Sequence, residues 1–305
     1  MAANAKKNDD RSTPPPLPEP LAVPVADSHT HLDMQSGTPA EGLARAASVG
    51  VTTVVQVGCD VPGSQWAADL AAEYEQVHAA VALHPNEAPR IFLGDPGGTS
   101  QPPGAGGGWS GQRRTPGGRA ALDAALAEID RLAALPHVLA VGETGLDYFR
   151  TGPEGVDLQK ESFRRHIEIA KRHGKALVIH DREAHEDVIA VLLEEGAPER
   201  TIFHCYSGDA AMARTCAEHG WYLSFAGPVT YKANHPLREA LTATPLDRVL
   251  IETDAPFLTP HPYRGRPNAP YLIPVTLRAM AAHLALGEDE LATAIAANTA
   301  RAFGY

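Results

Sequence analysis

Asp27-Ser28-His29-Thr30-His31-Leu32-Asp33 follows a short apolar run, Leu21 to Ala26, and sets two imidazoles two residues apart. In an extended segment side chains alternate, so His29 and His31 point the same way and can grip one cation together. Alone, such a pair is equally at home on a surface without metal. The balance shifts because further short apolar runs end in His84, Glu143, His180, His204 and Asp254. Imidazole nitrogens and carboxylate oxygens are borderline ligands suited to Zn, Mn, Co and, less well, Mg. His29, His31, Glu143, His180, His204 and Asp254 are too many for one catalytic ion that must keep an open position. The expectation is therefore two divalent ions sharing Glu143 as a bridge, with His29, His31 and Asp254 on one and His180 and His204 on the other. Two ions about 3.5–4 Å apart can hold one water as hydroxide and clamp both oxygens of a displacement. Asp254, whose second oxygen can face that water, is the expected general base. The chemistry implied is metal-assisted hydrolysis of an ester, a phosphoester foremost.

Phosphate calls for cationic donors, and Arg150, Arg182, Lys232, Arg264 and Arg266 all follow shortly after candidate strands. Arginine's planar fork suits phosphate oxygens, although any one of these could be a solvated loop charge. Tyr148, Tyr206 and Tyr263 are candidate stacking surfaces for exposed bases. Together these residues point to single-stranded or end-frayed nucleic acid as the partner.

The elements that must position these groups recur as strand and helix. Apolar or β-branched runs at 21–26, 52–57, 77–83, 138–141, 176–180, 201–204, 221–225 and 248–254 read as strands. Helical periodicity separates most of them, at 40–49, 62–75, 120–134, 158–173, 183–195, 212–219 and 236–242, and two closing helices follow at 274–286 and 289–297. Eight such units predict an α/β fold of the (β/α)8 TIM-barrel type, whose chemistry sits at the C-terminal ends of the strands. Six of the eight strands end in a candidate ligand or acid–base group.

At 305 residues and 44% hydrophobic, the chain suffices for one large barrel domain, expected over 21–305. Its 26 Lys and Arg against 37 Asp and Glu, a formal charge of −11, exclude a protein that coats nucleic acid through a general basic surface. Residues 1–20, polar and proline-rich, read as a disordered tail without the features of a signal peptide. No stretch offers about 18 uninterrupted apolar residues, so no membrane span is expected. Cys59, Cys205 and Cys216 form no Cys-x-x-Cys pattern and read as structural thiols in a reducing, cytoplasmic setting. With no interface signature and no obligate protein partner apparent, a monomer is expected. Between about 94 and 118 the composition turns to Gly, Pro, Ser and Thr, a flexible insertion within the domain. Two readings of it stand: an excursion without a role, or a nucleic-acid contact through Trp109, Arg113 and Arg114.

Asp27 to Asp33, Leu83-His84-Pro85-Asn86, Gly142 to Tyr148, Val178-Ile179-His180, Phe203 to Gly208 and Glu252 to Leu258 resemble, in order, the motifs of the TatD family, metal-dependent deoxyribonucleases among the amidohydrolase-like barrels. The resemblance covers roughly Val25 to Gly304. It implies a divalent-metal site at His29, His31, Glu143, His180, His204 and Asp254. It also implies a 3′-to-5′ exonuclease acting on DNA, with abasic sites and hence DNA repair within range. His84 corresponds to the family's substrate-side histidine, and Tyr263 to Gly265, Arg266, Asn268 and Pro270 fit the segment after the metal-binding aspartate. The insertion at 94–118 is longer than the family's pattern. Two other functions stand beside the nuclease: a metallohydrolase of small esters, lactones or amides, and a non-catalytic scaffold with a structural metal.

Overall fold

Residues 11–94 and 115–305 are described by the structure, a computed structural model. Eight strands, β1 (Val25–Thr30), β2 (Val51–Gly58), β3 (Val77–Val81), β4 (Val138–Asp147), β5 (Ala176–Arg182), β6 (Thr201–Phe203), β7 (Tyr222–Phe225) and β8 (Val249–Ile251), form one sheet in chain order. Between them lie α1 (Pro39–Ala47), α2 (Val61–Glu73), α3 (Glu87–Leu93), α4 (Gly118–Ala133), α5 (Pro153–His173), α6 (His185–Glu195), α7 (Ala210–Glu218) and α8 (His235–Ala243), and α9 (Ile273–Leu284) and α10 (Glu288–Phe303) follow. This is the expected (β/α)8 barrel. The chain packs as two units, residues 1–55 with 208–301 and residues 56–207 with 302–305.

In the first unit the last strand returns to the first. The Asp254 N–H donates to the His29 carbonyl and the His31 N–H to that of Ala255, both at 2.9 Å, and Thr30 bridges Ala255 in parallel. Helix α1 starts at a capping box, in which Thr38 Oγ1 accepts from the Glu41 N–H and Glu41 Oε2 accepts from the Thr38 N–H, a device worth about 1 kcal/mol. Residues 11–20, expected as part of a disordered tail, have defined partners instead. Arg266 Nε and Nη2 donate to the Thr13 and Pro14 carbonyls, and the Tyr271 hydroxyl to that of Pro15, each at 2.8 Å. Proline lacks an N–H but keeps a strong acceptor, and its fixed φ lowers the cost of ordering such a segment.

In the second unit β3 to β6 pair in parallel. The expectation of a strand over 138–141 falls short, since β4 runs on to Asp147 and carries Glu143 within it. Two glycines permit this: a Cβ on Gly142 would strike Val178, and Gly145, at φ 132°, passes against the His180 carbonyl. The β4–β5 register slips between Val141 and Thr144, resumes with Thr144 beside Ile179 and so sets Gly145 beside His180. Helix α3 was not foreseen; its Ala88, Pro89 and Ile91 are buried. The Gly117 N–H donates to the Ile91 carbonyl at 3.0 Å. Trp109, Arg113 and Arg114 lie outside the described residues.

Candidate metal centre

The first unit carries His29 on β1, His31 just past it and Asp254 past β8. Both histidines are buried, their rings 5.1 Å apart edge to face. Asp254 Oδ1 lies 3.8 Å from His29 Nε2 and 3.6 Å from His31 Nε2. Asp254 takes φ 53°, the left-handed region that aspartate enters more readily than most residues. Behind this group the buried Asp27 carboxylate accepts from the Thr253 N–H (2.9 Å), the Thr253 hydroxyl (2.5 Å) and the His29 N–H (3.3 Å). One side chain thus ties the residue before Asp254 to the backbone of His29. Burial pushes the Asp27 carboxyl up to about 7, against these hydrogen bonds. Ser28 Oγ donates to the Ile251 carbonyl at 2.9 Å, and Asn268 Nδ2 to that of Thr253 at 2.9 Å.

The second unit gathers a denser set. Glu143 Oε2 lies 2.8 Å from His204 Nε2, 3.1 Å from His180 Nδ1 and 4.0 Å from His84 Nε2. The nitrogens of His180 and His204 are themselves 3.3 Å apart. Three donors turned on one point, from a histidine pair and a carboxylate, are what a divalent cation of borderline hardness takes. Burial alone would push the Glu143 carboxyl up, but the imidazoles of His204 and His84 and hydrogen bonds from His180 and His204 hold it well below its ordinary value. His180 is raised: burial opposes its charge, yet bonds to Asp147 and Glu143 prevail. His84 is pushed down to about 3, chiefly by burial, so its ring is neutral. Its Nδ1 accepts from the Asn86 N–H at 3.1 Å, which leaves Nε2 to carry the proton.

Residues that the sequence reading passed over support this group. Asp147 Oδ2 lies 3.4 Å from His180 Nε2 and accepts from Asn86 Nδ2 at 2.9 Å, while Oδ1 accepts from the Arg150 N–H at 2.9 Å. Gln159 Nε2 donates to the Asp147 carbonyl and its Oε1 accepts from the Asp147 N–H. A carboxylate on the far nitrogen of a ligating histidine fixes ring and tautomer. Cys59, read as a structural thiol with no visible partner, donates from Sγ to Glu143 Oε1 at 3.2 Å. The signal for both was available: each stands at the end of a strand, where the other ligands were sought.

The substrate-side candidates divide. Arg182 stacks on Phe149, 3.9 Å from the ring centroid, and Arg264 on Tyr231 at 4.2 Å. The Tyr148 hydroxyl donates to Asp187 at 2.6 Å; burial and that carboxylate raise its pKa. Tyr206 is corrected as a stacking surface, being 3% exposed. Arg266 is corrected as a phosphate donor, because its guanidinium holds the carbonyls of Thr13 and Pro14. Cys205, read as a structural thiol, lies past the end of β6 at φ 41°.

A (β/α)8 barrel whose strand ends carry clustered histidines and carboxylates defines a class, the metal-dependent hydrolases. Residues 26–304 match the family model described as TatD related DNase. Over 288 residues the chain is 42% identical to an uncharacterized metal-dependent hydrolase TatD of Mycobacterium tuberculosis, covering 92% of this chain and 98% of that one. It is 30% identical over 276 residues to a protein of Citrobacter rodentium named 3′-5′ ssDNA/RNA exonuclease TatD, covering 87% and 91%. The crystal structure of a TatD homologue from Escherichia coli K12 superposes with a TM-score of 0.77 at 24% identity, over 92% of this chain and 98% of that one. The chain belongs to the TatD family and is a metal-dependent hydrolase.

Proposed function

We propose that this hydrolase cleaves phosphodiester bonds, removing nucleotides from the 3′ end of single-stranded or frayed DNA with the help of two divalent ions. The observation that carries the metal chemistry is the convergence of Glu143, His180 and His204 on one point, with Glu143 held ionised there. His29, His31 and Asp254 would form the other ligand group, and Glu143 would be shared between the two as a bridge. Bound divalent ions supply Lewis acidity to the phosphoryl oxygens and lower the pKa of a water. Asp254 would serve as the general base that takes the proton of the attacking water. His84, neutral with its proton on Nε2, donates to a phosphate oxygen, and Arg150, Arg182 and Arg264 neutralise the strand's charge. The relative named as a 3′-5′ exonuclease supports the polarity. Thiols without disulfide partners support a cytoplasmic setting, and among the described residues no helix is long and apolar enough to cross a membrane. The protein acts as a monomer without an obligate protein partner.

The test is hydrolysis of 3′-labelled and 5′-labelled single-stranded DNA, in EDTA and with Mg, Mn, Co or Zn restored. Stepwise metal-dependent loss from the 3′ end is expected. Folded, metal-loaded protein that leaves both labels in place would overturn the reading and send the search to small esters and lactones.

A further inference from the structure

Among the described residues the exposed large hydrophobic side chains are Leu17, Leu93, Phe149, Leu193 and Tyr305. Of these, Phe149 lies two residues past Asp147, the partner of His180, and it is 58% exposed. The turn that presents it is pinned on both sides. The Tyr148 N–H donates to the Arg182 carbonyl at 3.0 Å, and the Arg150 N–H to Asp147 Oδ1 at 2.9 Å. The Tyr148 side chain is tied as well, to Asp187, which also pairs with Lys160 Nζ at 2.8 Å. Phe149 therefore cannot reach cover without breaking a turn that Asp147, the partner of His180, itself holds. Its chain neighbours Tyr148 and Arg150 and the stacked Arg182 all carry polar groups.

Arg182, two residues past His180 on β5, lays its guanidinium over one face of the ring. Stacked in this way, a guanidinium keeps its N–H edge free for phosphate oxygens. The pair thus offers a π-face and a phosphate-matched edge side by side, the two recognition elements of a nucleotide. We infer that Phe149, backed by Arg182, is a stacking platform for an unpaired base of the strand being hydrolysed. This rests on the nuclease reading above, and it assigns the base-binding role to a residue that the tyrosine-based expectation missed.

The test compares a single-stranded oligodeoxynucleotide with one of equal length that carries abasic spacers near its 3′ end. For the wild-type chain, KM on the base-bearing strand should be lower by roughly tenfold, the scale of one base–aromatic stack. Phe149→Ala should collapse that ratio toward one, and Phe149→Trp should keep it. With metal removed by EDTA, the added tryptophan fluorescence of Phe149→Trp should be quenched by the base-bearing strand and not by the abasic one. A ratio undiminished in Phe149→Ala overturns the platform. A wild-type protein that neither binds nor degrades either strand overturns the nuclease reading first, and the platform with it.

Discussion

Each ligand group is backed by a buried carboxylate, and the two carboxylates behave oppositely. Asp27, behind His29 and Asp254, accepts hydrogen bonds from two N–H groups and a hydroxyl, all neutral; burial prevails and pushes it up to about 7. Asp147, behind His180, is also shielded from solvent, yet it sits well below its ordinary value, because His180 and Asn86 outweigh its burial penalty. The difference teaches that burial does not set the charge of such a carboxylate. A neighbour able to carry the opposite charge does. Asp27 is built to hold backbone in place, and Asp147 to hold an imidazole.

Breaking the second group should have the largest effect. Glu143→Ala removes the oxygen on which His180 and His204 converge, so metal content measured by elemental analysis should fall. Turnover should drop by on the order of 10³-fold or more, the several kcal/mol that Lewis-acid stabilisation supplies. Full metal occupancy in that variant would remove Glu143 from the ligand set. Asp254→Asn, in the first group, keeps an oxygen but loses the base. Metal should stay and kcat should fall by roughly 10²- to 10⁴-fold; brisk turnover in the metallated variant would end that assignment.

Asp147→Asn tests the backing carboxylate itself and should act more mildly. Its amide would turn a donor either toward Asn86 Nδ2 and His180 Nε2 or toward the Arg150 N–H, where only an acceptor fits. Metal affinity, measured by competition with a chelator, should weaken by about 10- to 100-fold, and the His180 pKa, now raised by Asp147, should fall. Affinity equal to the wild type would mean that His180 needs no orienting partner.

How much of this was legible in the chain depends on whether the signal was local. His29, His31, His84, Glu143, His180, His204 and Asp254 could be found because strand ends are marked by apolar runs and a barrel brings such ends to one face. The contact of Cys59 with Glu143 joins residues 84 positions apart, and no local pattern specifies that pairing. Asp147 stands at a strand end like the ligands, but its role comes from a side chain that reaches His180 on the neighbouring strand, a contact that strand position alone does not specify. Tyr206 and Arg266 were misjudged for one reason: composition says what a side chain can do, not whether burial or another segment has already claimed it. Pro14 and Pro15 illustrate the converse, a segment read as disordered whose carbonyls have tertiary partners.

The finest test of the contrast is pH. Asp27 has a folded-state value near 7 against an ordinary 3.8, so the folded chain holds this proton more tightly than the unfolded one. A raised pKa stabilises fully below the unfolded value, and the benefit is lost as pH climbs through the folded value. Between about pH 4 and pH 7 Asp27 should therefore withdraw up to about 4 kcal/mol, at 1.36 kcal/mol per unit. Asp27→Asn removes the ionisable group altogether, and the amide it introduces resembles the protonated acid. The metal-stripped variant should thus match the wild type within about 1 kcal/mol at pH 4 and exceed it at pH 8, as read from urea unfolding at both values. The corresponding comparison for Asp147 should run the other way, because a depressed carboxyl stabilises at high pH and loses that contribution only in acid. A wild-type-to-variant difference for Asp27 that stays flat from pH 4 to pH 8 would show that its hydrogen bonds, and not burial, decide its charge, and the two carboxylates would then be alike.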